Sequence, residues 1–124
     1  MNENTKKRLK QIEIENYIWI IYIIIIGLSY YGNYLEKDYF INKNINSKNK
    51  YQKINAFIFI TLIIVYSYFE NDALTSFNNK NKSTKQKEYD TLILIASTMV
   101  LISGLIFLYI ILDDKNLDAE IAFD

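Results

Sequence analysis

Three long apolar stretches dominate the chain, and each is free of charged residues. Residues 16–35, 54–69 and 91–112 contain no Asp, Glu, Lys or Arg. At a rise of about 1.5 Å per residue, these stretches would measure ~30, ~24 and ~33 Å as helices. A hydrocarbon layer is ~30 Å thick, so the first and third stretches are long enough to cross it and the second is short. We predict three membrane spans at 16–35, 54–70 and 91–112, with helix continuing past Glu70 and Lys53 reaching back toward the headgroups.

Two other folds compete with this prediction. A helix on the surface of a soluble protein has a polar face, and residues 18–26 have none. A chain of this size buries only ~65% of its unfolded surface, which is too little to hide three such stretches. Membrane strands alternate apolar and polar residues, and three strands cannot close a barrel. The predicted fold class is therefore all-α, a single domain forming an integral membrane bundle of three transmembrane helices that run up-down-up.

The start of the chain also resembles a secretory signal peptide in part. Basic residues at 6–10 precede the first apolar stretch, and small residues stand at Gly27 and Ser29. However, Glu13 and Glu15 interrupt the basic region, and two tyrosines follow the small residues directly. We therefore expect helix 1 to remain attached as a membrane anchor.

The distribution of basic residues favours one orientation by a small margin. Lys and Arg are enriched on the cytoplasmic side of membrane proteins. With the N-terminus inside, the N-terminal segment and second loop place eight basic residues in the cytoplasm, against six in the first loop and tail. Each span is preceded by lysine and followed by acid, so helix 2 must insert against its own charge polarity. We predict a multi-pass protein of the cell membrane with a cytoplasmic N-terminus and an outside C-terminus.

The short basic segment before the first span and the polar loop after it are predicted to differ in structure. We expect residues 2–15 to extend helix 1, with Thr5 as the N-cap. The first loop, residues 36–53, is rich in Asn and Lys. Such a composition predicts a solvated and mobile segment.

The second polar loop, residues 70–90, shows helical signals at both ends. Ala73, Leu74 and Phe77 share one helical face, which predicts that helix 2 continues along the membrane interface. Ser83 begins an S-x-x-Q pattern typical of a capping box. Helix 3 is therefore predicted to start near Thr84, before its apolar stretch.

Composition excludes several kinds of chemistry. Lys plus Arg and Asp plus Glu each number 14, so the chain has no net charge and we expect no nucleic-acid partner. The chain has no Cys and no His, which excludes thiol catalysis and histidine-based metal or acid–base sites. The three apolar stretches also lack the ionisable residues of proton relays and charged ion sites. We predict that the protein is not an enzyme, with no catalytic, cofactor-binding or metal residues and no cofactor.

Small residues on helix 3 indicate a packing surface. Ala96 and Ser103 are seven residues apart, as are Ser97 and Gly104, so both pairs follow one edge of the helix. Small residues let membrane helices approach closely. This edge is predicted either to contact a second copy or another membrane protein, or to pack against helix 1 or 2. The lipid bilayer is the other expected partner.

Two further polar features each have a structural and a functional explanation. Asn33 near the end of helix 1 either faces the headgroups or forms an interhelical hydrogen bond or part of a pore. In the acidic tail, Asp114, Asn116 and Asp118 match the start of a calcium loop, but Ala119 stands where that loop needs glycine. We therefore expect the tail to be solvated rather than metal-binding.

Two segments carry a likeness to known proteins. One is the exit of helix 1, YGNYLEKDYF from Tyr31 to Phe40, and the other is ISGLIFLYIILDDKNLDAEIAFD from Ile102 to Asp124. They resemble a group of small three-span membrane proteins from AT-rich bacteria, a family with no assigned function. The resemblance covers most of the chain and implies three membrane helices. It carries over no functional residue, because it contains no motif of known meaning.

Two functions fit these observations. The first is a non-enzymatic accessory, regulatory or interaction protein of a membrane complex, favoured by the lack of charge within the spans and by the short polar segments. The alternative is a homo-oligomeric pore, a holin-like protein or a transporter subunit, in which the edge of helix 3 would join copies. A neutral path would then be lined by the hydroxyls of Thr61, Ser97, Thr98 and Ser103. The acidic tail argues against a holin.

Overall fold

The computed structural model describes residues 2–79 and 82–117. Three helices follow one another, α1 (Glu3–Asn42), α2 (Ile45–Phe77) and α3 (Thr84–Asp113). Each is long and apolar enough to cross a membrane. The prediction of an all-α fold with three transmembrane helices is confirmed, and the described residues form no strand.

All three helices are longer than the apolar stretches inside them. They contain 40, 33 and 30 residues, which corresponds to ~60, ~50 and ~45 Å. The predicted extension of helix 1 before its span is confirmed, but its N-cap is Asn2, whose side chain accepts a hydrogen bond from the Thr5 amide at 2.8 Å. The prediction of Thr5 as the cap is wrong, because the Asn2 side chain already satisfies a free N–H of the first turn.

The segment between the first two spans is almost entirely helical, so the prediction of a mobile loop over 36–53 is wrong. Only Lys43 and Asn44 lie between α1 and α2. Lys43 has a left-handed backbone with φ 53°, a common helix ending, and its N–H donates to the Tyr39 carbonyl at 2.8 Å. The Asn44 side chain caps α2 by accepting from the Asn46 amide at 3.1 Å. Two of the Asn and Lys residues that indicated disorder, Lys43 and Asn44, thus act as helix caps.

A carboxylate stabilises this tight connection. Asp38 accepts hydrogen bonds from the side chains of Ser47 (2.5 Å), Asn42 (2.7 Å) and Asn44 (3.0 Å). These bonds favour the charged form and lower the pKa of Asp38, the bonds from Ser47 and Asn42 contributing most. The connection is therefore an ordered turn held by specific side chains.

The second connection follows the prediction from sequence. α2 continues to Phe77, with Ala73 buried and Leu74 exposed, so the extension of helix 2 is confirmed. α3 begins directly after Ser83. The Ser83 hydroxyl accepts from the Gln86 amide, and the Gln86 side chain accepts from the Ser83 amide. This is the predicted capping box.

α2 is the central helix, and the other two pack against it. Gln11 near the start of α1 donates to Asp72 near the end of α2 at 2.9 Å. Gln52 near the start of α2 donates to the Asp114 carbonyl after α3 at 3.1 Å. Both neighbours are therefore antiparallel to α2, and the helices run up-down-up. Over their described residues, no Cα atom of α1 lies within 8 Å of a Cα atom of α3, so the three helices form an open layer.

The best-packed residues belong to α2. Its Ile58 and Phe59 form a buried cluster with Ile25 of α1, and the Phe59 ring centre lies 5.7 Å from that of Phe107 on α3. The outward faces are apolar and exposed, as at Ile23, which is 68% exposed. An apolar surface of this extent fits a lipid environment and would be a liability in water.

Contacts between the helices fix their register along the layer. Gly32 of α1 faces Tyr51 of α2, and Gly104 of α3 faces Tyr66. Counting from Gly32–Tyr51 for α1, and from Phe107–Phe59 and Thr98–Glu70 for α3, the apolar stretch of α1 lies beside roughly residues 48–67 of α2, and that of α3 beside roughly residues 55–76. The apolar stretches of the two outer helices are therefore displaced by about 12 Å along the helix direction.

Candidate functional site

Because α1 and α3 do not pack closely against each other, an open groove remains between them, with α2 as its floor. It has a volume of about 710 Å³ and lies beside the cluster of Ile25, Ile58 and Phe59. Most of its lining is apolar, as expected for a surface inside a membrane. We call it the interhelical groove. Its lining residues are Ile25, Ile26 and Ser29 of α1, Asn55, Ile58, Phe59, Leu62 and Tyr66 of α2, and Met99, Val100, Ser103, Gly104 and Phe107 of α3.

Neutral polar side chains interrupt this apolar lining. Asn55 lies on the floor and is only 5% exposed, while Ser29 and Ser103 lie on the two walls. Amides and hydroxyls inside a membrane commonly hydrogen-bond to neighbouring helices. Asn55 was not predicted as a site residue. The signal that could have found it is a lone amide at the start of the otherwise apolar second stretch.

The residues of the small-residue edge of α3 do not share the same surroundings. Gly104 is buried against α2, and a Cβ atom there would lie 3.2 and 3.3 Å from two carbons of the Tyr66 ring. Ser97 lines a smaller pocket that also includes residues of α2. Ala96 and Ser103 remain exposed. The prediction that the edge packs within the chain is therefore confirmed for Gly104. Contact of Ala96 and Ser103 with another chain stays a prediction.

The four hydroxyls suggested for a neutral path lie apart. Ser103 faces the interhelical groove, and Ser97 lines the smaller pocket. Thr61 and Thr98 each donate to a carbonyl one helical turn earlier, at 2.9 and 2.8 Å. Asn33 is exposed on α1. Within the described part of one chain these groups form no common path, and a path shared between copies stays a prediction.

The contact between α2 and α3 contains a carboxyl group. Glu70 Oε1 lies 2.8 Å from Thr98 Oγ1. The other carboxyl oxygen, Glu70 Oε2, is buried and has no hydrogen-bond partner among the described residues. Thr98 lies about 10 Å from the start of the apolar stretch of α3. Glu70 ends its own uncharged stretch, as the sequence indicates, but the displacement of the helices brings it beside the apolar part of α3.

Beyond Glu70, toward the N-terminal end of α1, polar side chains pair with one another. The Lys82 and Asp90 side chains are largely covered, at 22% and 14% exposure. Gln11 with Asp72 (2.9 Å) connects α1 to α2, and Lys82 with Asp90 (2.7 Å) joins the residues before α3 to its second turn. Arg8 with Glu15 (3.5 Å) is a pair within α1.

The calcium-like run at the C-terminus lies partly beyond the described residues. Asp118 and Ala119, which decide the match, are outside them. The carbonyls of Asp114 and Lys115 accept hydrogen bonds from Gln52 Nε2 at 3.1 and 3.2 Å, which ties the end of α3 to α2. Over residues 2–79 and 82–117, no group of three or more acidic side chains could hold a metal ion.

The chain matches no family model, no curated protein and no solved structure. The resemblance to small three-span proteins of AT-rich bacteria stays a prediction. The interhelical groove and the contact between α2 and α3 are the features of the described residues that suggest a function.

Proposed function

We propose that this chain is a non-enzymatic accessory protein that binds a transmembrane helix of a larger membrane protein in its interhelical groove. The observation that supports this is the open layer: α1 and α3 each pack on α2 but leave about 710 Å³ between them. A closed bundle of three helices would bury this surface within one chain. Here it is available to the side chains of a fourth helix.

The lining of the groove favours a protein helix over a lipid chain. Ser29, Ser103 and Gly104 are small, and small residues allow helix backbones to approach closely in a membrane. The hydroxyls of Ser29 and Ser103 offer hydrogen-bonding groups for which an acyl chain has no partner. Met99, 64% exposed, has a flexible side chain that adapts to an irregular partner surface.

The proposal also retains the orientation predicted from basic residues. The N-terminus and the connection between α2 and α3 would lie in the cytoplasm, and the turn between α1 and α2 outside. With lipid around the exposed apolar faces, the groove would open within the plane of the cell membrane. A partner would then enter sideways from the bilayer.

Site-specific photo-crosslinking in native membranes tests this function. A photoreactive residue is placed at Met99, which lines the groove, or at Ile102, an exposed position on α3 that does not line it. We expect the Met99 position to form an adduct with a transmembrane peptide of one other membrane protein, and Ile102 to react with lipid. Ser103→Leu places an apolar side chain in the groove and should reduce the Met99 adduct several-fold.

Other outcomes would contradict the proposal. Equal labelling from both positions, or lipid adducts alone, would show that the groove binds no specific helix. Adducts between two copies would instead favour the homo-oligomeric pore or transporter subunit, which the exposure of Ala96 and Ser103 supports. Ion flux across liposomes containing the purified protein identifies that alternative, because only a pore gives conductance above the lipid background.

A further inference from the structure

A pocket beside the end of α3 contains two lysines from separate parts of the chain. Lys53 lies near the start of α2, and Lys115 follows the end of α3. Both line a pocket of about 310 Å³ between these two segments, which we call the basic pocket. It shares no lining residue with the interhelical groove. The basic pocket is therefore a second site, and an argument about it does not depend on the function proposed above.

The basic pocket lies at the level where the apolar stretches of α2 and α3 both end. The stretch of α2 begins at residue 54, and that of α3 ends at residue 112. The two helices are antiparallel, and the contact of Phe59 with Phe107 places residue 112 beside roughly residue 55 of α2. Lys53 and Lys115 therefore lie where hydrocarbon gives way to lipid headgroups, and long basic side chains are well suited to this level.

The two halves of the basic pocket differ in chemistry. The polar half contains the two lysines and Asn49, which lies one turn before Lys53 on the same face of α2 and whose amide can donate hydrogen bonds. The apolar half belongs to the uncharged stretches and consists of Ala56, Ile111 and Leu112. A ligand that matches both halves has a negatively charged group attached to an apolar chain.

The charges of the two lysines are not neutralised by acidic side chains. Over residues 2–79 and 82–117, neither Lys53 nor Lys115 forms an ion pair, and the pairs that do form lie at the opposite end of the layer. Asp113 and Asp114 precede Lys115 but do not line the pocket. The basic pocket thus retains a positive charge that an anionic ligand would complement.

Hydrogen bonds hold the two lysines on the same pocket. Gln52, the residue before Lys53, donates from Nε2 to the carbonyls of Asp114 and Lys115 at 3.1 and 3.2 Å. This contact fixes the backbone after α3 against α2. Because the backbone that carries both lysines is already ordered, a ligand loses less affinity to ordering the site.

We propose that the basic pocket binds an anionic phospholipid, with its phosphate group between Lys53 and Lys115 and an acyl chain along the apolar half. Basic pockets between membrane helices bind the headgroups of anionic lipids. The volume of about 310 Å³ lies at the lower end of the range for small-molecule sites, ~300–1,000 Å³, which suits one headgroup. With the predicted orientation this lipid belongs to the outer leaflet.

Native mass spectrometry of the full chain in mild detergent, titrated with phosphatidylglycerol, tests this site. We expect the first phosphatidylglycerol to bind at least about ten-fold more tightly than phosphatidylcholine with the same acyl chains. Lys53→Gln and Lys115→Gln should each weaken binding about five-fold, whereas Lys53→Arg keeps the charge and should bind as the wild type does. Both lysines are exposed, so these variants should fold normally.

Lys50→Gln is the matched control, because Lys50 is an exposed lysine of α2 that does not line the basic pocket. Equal weakening by Lys50→Gln and Lys53→Gln would overturn the proposal, since it would show attraction to a basic surface and not to a pocket. Equal binding of the two lipids, or no bound lipid, would overturn it as well. Glycerol 3-phosphate has the anionic group without an acyl chain. If it displaces the lipid at a similar concentration, the ligand is a free phosphate compound and the lipid assignment is wrong.

Discussion

Replacing the glycines one at a time measures how closely the helices pack, because each glycine has different surroundings. A Cβ atom at Gly27 would meet nothing within 4 Å, and one at Gly32 would lie 3.6 Å from the Tyr51 ring. At Gly104 it would lie 3.2 Å from the Tyr66 ring. The first position is open, the second allows ordinary contact, and the third is tight. The same substitution therefore has a different expected result at each site.

The magnitudes follow from these distances. Within a helix, alanine is more favourable than glycine by ~0.5–1 kcal/mol. Gly27→Ala should gain this amount, and Gly32→Ala nearly as much. At Gly104 the Tyr66 ring must move by a few tenths of an ångström, so we expect the gain to be cancelled. Gly104→Leu adds three further carbons at this contact and should destabilise the fold by ~1–3 kcal/mol.

Reversible unfolding in bicelles with increasing sodium dodecyl sulfate measures these free energies. Gly27→Leu is the matched control for Gly104→Leu, because the same side chain is added at an open position and should have little effect. Equal stabilisation by alanine at Gly27 and Gly104 would refute the close contact between α2 and α3. A Gly104→Leu variant as stable as Gly27→Leu would refute it as well.

Three further predictions concern the connections and the orientation. Hydrogen bonds lower the pKa of Asp38, so the wild type should be more stable than Asp38→Asn at neutral pH. This advantage should disappear as the pH falls below about 4, which unfolding at several pH values measures. Ser83→Ala removes the capping box of α3 and should cost ~1 kcal/mol in the same assay, whereas an unchanged midpoint would show that the cap contributes nothing. The chain has no native cysteine, so single cysteines at Asn46 and Asn79 report the orientation. An impermeant thiol reagent should label the first in intact cells and the second only after lysis, and the reverse pattern would invert the topology.

Local sequence patterns predict the helices well because the information that defines them is local. The three uncharged stretches predict the spans, and the pattern beginning at Ser83 predicts a start of α3 near Thr84, where the helix begins. The same reasoning is wrong for residues 36–53, because composition alone does not distinguish a disordered segment from one whose polar residues are caps. Asn44 caps a helix and Asp38 collects three side-chain donors, and both contacts exist only once the turn has formed.

The candidate sites could not be predicted from sequence because they depend on how the helices align. The interhelical groove forms because α1 and α3 both pack against α2. No single apolar stretch of the sequence encodes this arrangement. Glu70 stands at the end of its own span in sequence, and only the register against α3 brings it to Thr98. Asn55 gives a weak local signal as a single amide, but its burial under the groove follows from three-helix packing.

The displacement of the apolar stretches has a consequence for the lipid around the protein. Neighbouring helix axes lie roughly 8–10 Å apart, so an offset of about 12 Å across two such steps is cancelled when the three helices tilt together by about 35°. This lies in the upper part of the range of tilts found for membrane helices. At that tilt, the ~24 Å stretch of α2 spans only ~20 Å of membrane depth. The bilayer beside the middle helix would thin to match it, and the protein would partition into the thinnest membranes of a cell.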